Sequence, residues 1–239
     1  MEYFQYLSIF HLLEFLAASA GTYYLYKLKP ENRYVKYLVC FLWLTLVVEI
    51  IAIYAGYAYY SNYKNLSFLK GTVFERNYWL FNPKIILEYI VFVLFFSSFL
   101  QKRSSKIFLK YLIILFTFTA ILYLIFSGEY FVSISLYNSI VGNIVLMISI
   151  GMYFLEIMNS PVILNFKKQL PVYIAIGVLV FQLGMTPLRI YSKYFSMSLS
   201  PEFVAIWKPT LIILNVFMYS FFITGFIYCA QKKTASRVK

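Results

Sequence analysis

Long apolar runs alternate with short polar clusters along the whole chain, and the runs are too long for the interior of a globular protein. A helix that crosses a bilayer needs roughly 20 consecutive, mostly apolar residues. Seven stretches reach that length, at about 4–26, 37–60, 79–100, 107–127, 135–157, 172–192 and 209–230. The expected fold is therefore all-α: one seven-helix transmembrane domain over 1–230 and a short basic cytoplasmic tail at 231–239. Prolines fall where the pattern predicts connections. Pro30 lies in the first, Pro161 and Pro171 bracket the fifth, and Pro201 and Pro209 sit in or beside the sixth, where they cost no helix interior.

Composition sharpens this picture. The chain is 62% hydrophobic and 13% charged, against roughly 45–50% and 25% in soluble domains, so lipid must solvate its exterior. The net charge of +12 resides in membrane-flanking loops rather than on one face. That distribution favours anionic lipid head groups over nucleic acid as the partner. Alternate connections divide the 21 Lys and Arg residues into fourteen and seven. The richer side collects the first, third and fifth loops and the tail, which puts the C-terminus in the cytoplasm and the N-terminus outside. A multi-pass protein of a bacterial inner membrane fits this bias. The first apolar stretch has no basic leader and no marked cleavage site, so it is expected to be retained. Cys40 and Cys229 fall at cytoplasmic helix ends, in no zinc-like spacing, and are expected to pack. Tyr clusters near helix ends, as an aromatic belt requires.

Candidate chemistry lies in the polar groups inside the runs. An ionisable side chain near mid-bilayer costs about 2.5–3.5 kcal/mol on insertion scales, so it needs a partner or a task. Glu14, Glu49 and Glu88 sit near mid-depth in the first three helices, and His11 shares a face with Glu14. Asn143 in the fifth, Gln182 and Arg189 in the sixth and Asn215 in the seventh complete the set. Lys84, four residues before Glu88, offers that acid a local neutralising partner. One His-x-x-Glu does not make the doubled Glu-x-x-His of a di-iron bundle, and neither a metal nor another cofactor is expected. No lysine lies within 209–230, which argues against a retinal Schiff base.

Two further patterns bear on mechanism. Ser19-Ala20-Gly21-Thr22-Tyr23 and Ser149-Ile150-Gly151-Met152-Tyr153 share Ser-x-Gly-x-Tyr. They suggest a parallel repeat of three helices, one connector and three helices, in which Glu14, Glu49 and Glu88 fall near Asn143, Gln182 and Asn215. Gly184 and Pro187 mark a hinge in the sixth helix, since proline there frees a backbone carbonyl.

Several stretches carry a resemblance: Lys36-Tyr37-Leu38, Leu87-Glu88-Tyr89, Tyr153 to Ser160, Gly177 and Phe181-x-x-Gly184-x-x-Pro187. With these the chain resembles uncharacterised seven-helix membrane proteins of Bacteroidetes-type bacteria. It is also loosely similar to the membrane input modules of bacterial sensor kinases. The resemblance implies no catalytic activity. The functional expectation is a ligand-binding membrane protein of receptor or sensor type with output through a separate partner. The alternatives are a small-solute or proton-coupled transporter with Glu49 as the coupling residue, and a membrane enzyme using Glu14 and His11.

Overall fold

The structure is a computed structural model that describes residues 2–191 and 201–235. The described chain is all-α. Its long helices are α1 (Glu2–Leu28), α2 (Arg33–Tyr60), α3 (Tyr78–Phe99), α4 (Arg103–Ser127), α5 (Leu136–Met158), α6 (Leu170–Ile190) and α7 (Pro201–Ala235). By length and composition, α2 to α7 are each able to cross a membrane, so the protein is a polytopic helical membrane protein. α1 is 27 residues long, with His11 and Glu14 interrupting its apolar sequence. Expected positions 192, 193 and 236–239 lie outside the described residues.

Six helices begin and end close to their expected limits. α7 does not: it starts at Pro201, so residues expected to form a connection are helical and Pro209 lies inside the helix. Proline is well placed at a helix start, and an interior proline forfeits only one hydrogen bond where neighbouring helices support the turn. Apolar Ile206 and Trp207 between the two prolines continue the helix toward the membrane end.

Neighbouring helices form a closed ring in the order α1, α2, α3, α5, α6, α7 and back to α1. α4 stands outside it, against α3 and α5. Its sequence explains the position. Leu109, Ile113, Phe116, Ala120 and Leu124 recur at helical spacing and form a single buried stripe. The rest of its surface exposes Phe108, Leu115, Phe118, Ile125 and Phe126, a face suited only to lipid. Phe92, Phe95 and Phe96 of α3 share one core cluster with Phe222 and Phe226 of α7, all within 3% of complete burial, and Phe92 meets Phe222 directly. The small run at the end of α1 packs closely, as its sequence predicts. A Cβ on Gly21 would come within 2.8 Å of Val39.

Polar clasps fix the connections. Buried Asn82 donates to the carbonyls of Tyr130 and Ser133 and accepts from the Ser135 amide, tying α3 to the α4–α5 loop. At the opposite end, the Glu156 carboxylate accepts the amides of Gln101 and Lys102 at the start of α4, a helix cap supplied by α5. The long 61–77 connection folds around Glu75, which accepts from the Tyr63 hydroxyl and the Gly71 amide. The cysteines differ from the expected packing pair: Cys229 is buried, whereas Cys40 is exposed on the outside of the ring.

Candidate functional site: a buried polar cluster

The ring order brings residues of six helices to one level of the bundle. Lys84 of α3 does not neutralise Glu88 on its own helix, as helical spacing suggests. It reaches across to α2 and forms an ion pair with Glu49 at 2.5 Å, with the side chains 12% and 25% exposed. Glu88 is served instead from α6: the Gln182 amide donates to Glu88 Oε1 at 3.1 Å. Arg189, two turns further along α6, donates to Gln182 Oε1 at 3.0 Å and to the Tyr89 hydroxyl at 3.3 Å. The Tyr89 hydroxyl in turn donates a hydrogen bond to the Ser139 carbonyl on α5 at 2.9 Å. Asn143 joins through the Thr186 hydroxyl, which in turn donates to the Gln182 carbonyl.

Glu14 completes the cluster from α1. It is 5% exposed, and its Oε1 accepts from Tyr219 of α7 at 3.2 Å. Its Oε2 is buried and has no hydrogen-bond partner among the described residues. The Tyr219 hydroxyl lies within electrostatic reach of Glu14, Glu49 and Glu88 together, and Lys84 acts on Glu14 and Glu88 as well as on Glu49. The three acids are thus electrostatically linked, with Tyr219 hydrogen-bonded to Glu14, Lys84 paired with Glu49 and Gln182 bonded to Glu88. The linked residues carry three carboxylates against two cations.

Other expected members stand apart. Asn215 donates back to the Leu211 carbonyl of its own helix at 2.8 Å. His11 is half-buried and contributes no link to the cluster among the described residues, so no acid–base pair with Glu14 forms. Among those residues, no group of three His, Cys, Asp or Glu side chains is arranged to hold a metal ion. Gly184 is a contact point: a Cβ there would meet Leu214 at 2.6 Å. α6 runs unbroken through Pro187, whose carbonyl accepts the Tyr191 amide at the helix end.

Sequence reasoning missed Tyr89 and Tyr219, because aromatic residues in a membrane chain read as belt or packing. The signal was present. α3 carries Tyr89-x-x-Phe92-x-x-x-Phe96 and α7 carries Tyr219-x-x-Phe222-x-x-x-Phe226. In space, Phe92 meets Phe222 at 6.2 Å. Phe96 meets Tyr153 of α5 at 5.9 Å, and Phe226 meets Tyr24 of α1 at 5.8 Å. The second contact is the first repeated on the other side of the ring. These contacts align α1 with α5 one residue away from the register that Ser-x-Gly-x-Tyr suggests. Tyr153 is 4% exposed and corresponds to Tyr24 at 5%, not to Tyr23 at 44%. Gly21 is tightly packed, while a Cβ on Gly151 would meet nothing within 4 Å.

The corrected register pairs Glu14 with Asn143 on α1 and α5, and Glu88 with Met218 on α3 and α7. α2 and α6 align through their buried positions: Leu38 with Ile174, Val39 with Ala175 and Leu42 with Val178. Glu49 then faces Met185, rather than Gln182, as its counterpart. Lys84 corresponds to Leu214, and Met185 and Leu214 pack in one apolar cluster. Glu14, Glu49, Lys84 and Glu88, the charged residues of the cluster on the first three helices, thus align with neutral residues on the last three. No protein family matches this chain, and neither a curated protein nor a solved structure is detectably similar to it.

Proposed function

We propose that this protein is a proton-coupled carrier of small solutes, with seven crossings, the N-terminus outside and the C-terminus in the cytoplasm. α1–α3 and α5–α7 are its two half-bundles, related by a pseudo-twofold axis along the membrane normal, and α4 is the connector. The ring order, the peripheral place of α4 and the twin Tyr–Phe contacts support the halves. The excess of basic residues in alternate connections supports the orientation.

One observation carries the coupling role: Glu14 is a buried carboxylate at the junction of α1 and α7 with one oxygen unpartnered. Buried polar atoms are almost always hydrogen-bonded, and leaving one unmade costs about 1–3 kcal/mol. Asn143 Oδ1, the counterpart in the other half, is also without a hydrogen-bond partner among the described residues. With Glu14 ionised both are acceptors, each completed by a donor, and a proton taken up by Glu14 turns that oxygen into a donor. A proton on Glu14 also balances the three carboxylates against Lys84 and Arg189. Glu49 is already held by Lys84, so the coupling role passes from Glu49 to Glu14.

Infrared difference spectra of the protein in lipid, recorded across a pH titration, test the proton site. The protonated-carboxyl band should titrate in the wild type and vanish in Glu14→Gln. A band unchanged in that variant sinks the proposal. Carriage is tested by a Cys40→Ser, Cys229→Ser, Asn143→Cys variant in sealed proteoliposomes. A membrane-impermeant maleimide should label it from either side. Labelling from one side alone would turn the reading to a ligand-binding receptor with output through a partner.

A further inference from the structure

An apolar groove of about 500 Å³ lies between α2 and α3 on the outside of the ring, away from the polar cluster. Tyr34, Cys40 and Leu44 line it from α2, and Leu87, Val91 and Leu94 line it from α3. From Tyr34 to Leu44 it follows ten residues of helix, about 15 Å at 1.5 Å per residue. That length is about half the ~30 Å hydrocarbon core, the depth of a single leaflet. One end of the groove is basic. Arg33 adjoins Tyr34, its guanidinium donating to the Tyr34 hydroxyl at 3.4 Å and lying 5.2 Å from the ring centre. Lys36 is exposed one turn away. Neither forms an ion pair among the described residues, where the one salt bridge is Lys84–Glu49. A groove one leaflet deep, apolar along its length and cationic at the head-group end, has the polarity of an anionic phospholipid.

We propose that this groove binds one anionic phospholipid, with an acyl chain against Leu44, Val91 and Leu94 and the phosphate between Arg33 and Lys36. A helix–helix groove facing lipid is filled by hydrocarbon in any membrane. The two cations at its mouth make the occupant selective. Each basic residue at an anionic head-group surface contributes roughly fivefold in binding, so the pair sets a preference of about thirtyfold.

Native mass spectrometry of the detergent-purified full chain tests this, with phosphatidylglycerol and phosphatidylcholine of identical acyl chains as probes. The wild type should retain phosphatidylglycerol about thirtyfold more strongly. Arg33→Ala with Lys36→Ala should abolish that preference, and both positions are exposed, so the fold is not at stake. Lys106→Ala with Lys110→Ala, basic positions on α4 away from the groove, should leave it intact. Leu44→Trp, which fills the groove from an exposed position, should lower retention of both lipids. Equal retention of the two lipids by the wild type overturns the proposal. So does a preference that survives the Arg33/Lys36 variant, or one lost equally in the Lys106/Lys110 variant. A dimer in the wild type that Leu44→Trp dissolves would assign the groove to a second copy of the chain instead.

Discussion

Gly142→Ala separates the proposed seat of Tyr89 from a merely apolar helix contact. A Cβ at Gly142 would lie 2.2, 2.3 and 2.7 Å from three atoms of the Tyr89 ring. These are ring atoms of a side chain 1% exposed, not the free end of a flexible one. The ring cannot swing aside, because its hydroxyl is tied to the Ser139 carbonyl one turn away. Its edge also packs on Phe116, at 5.7 Å and 87°. Overpacking of this kind costs about 1–3 kcal/mol, and contact this short belongs at the upper end. Helix propensity returns up to about 1 kcal/mol, leaving a net loss of about 2. For a chain of this length that lowers the melting temperature by roughly 4–8 °C. Gly151→Ala is the matched control on the same helix: it meets nothing within 4 Å and should gain about 1 kcal/mol, or roughly 2–4 °C. Thermal unfolding in one detergent, followed by intrinsic fluorescence, compares them. Adding Tyr89→Leu to Gly142→Ala should recover part of the loss by opening space. Equal melting temperatures for the two alanine variants would refute the seat, and with it the placement of Arg189 through Tyr89.

The Glu49–Lys84 ion pair makes a second prediction. Removing one partner, as in Glu49→Gln or Lys84→Met, strands a part-buried charge at a cost of about 2 kcal/mol, below the roughly 3–5 kcal/mol of a fully buried pair. The double change Glu49→Met, Lys84→Leu, which copies Met185 and Leu214 of the other half, should be close to neutral in the same unfolding assay. Additive losses would argue against equivalent halves. A third concerns the 61–77 connection. The Tyr63 hydroxyl and then the Gly71 amide hold the Glu75 carboxyl below the usual carboxylate range. The order they confer is complete above the unfolded-state pKa and fades as pH falls through the lower folded-state value. Amide exchange in this connection, corrected for intrinsic rates, should therefore show protection constant near neutrality and lost only in acid. Glu75→Gln should lack that protection throughout, and identical protection in the variant would refute the clasp.

What the sequence made legible follows from how far each signal reaches. Span length is a local property, and six helices fell near their expected limits. The start of α7 did not, because Pro201 and Pro209 read as punctuation when only one lies at a helix start. Ion pairing is not local. Spacing saw Lys84 beside Glu88 on one helix and could not see Glu49, whose approach depends on α2 and α3 being ring neighbours. The mid-depth acids were visible because charge in an apolar run is conspicuous. Their partners Tyr89 and Tyr219 were not, since tyrosine is common in this chain. They emerge only when the Tyr-x-x-Phe-x-x-x-Phe pattern of α3 is set beside that of α7. The shorter Ser-x-Gly-x-Tyr match was the weaker guide, since it fixed the register one residue away from the packing.

The unequal division of charge between the two proposed halves has a physical rationale. Each ion withdrawn from water costs several kcal/mol even after relaxation, and mutual attraction recovers this only where geometry is good. A bundle with Glu14, Glu49, Lys84 and Glu88 duplicated in the second half would bury twice that load around one axis. With Asn143, Met185, Leu214 and Met218 at the matching positions, the second half keeps the volume and the packing while adding no ion there. Arg189 is the exception, and it lies on the α6 stripe that serves Glu88 through Gln182. The second half thus supplies a neutral wall and one positive charge, and the first supplies the acids. A site built this way is short of one positive charge on one side only, at Glu14. Under the proposed coupling, an event that adds or removes that charge would act on the α1–α3 half against neutral counterparts in α5–α7. In the proposed carrier, protonation of Glu14 would therefore bear on one half-bundle, where a symmetric pair of acidic halves would divide its effect between both.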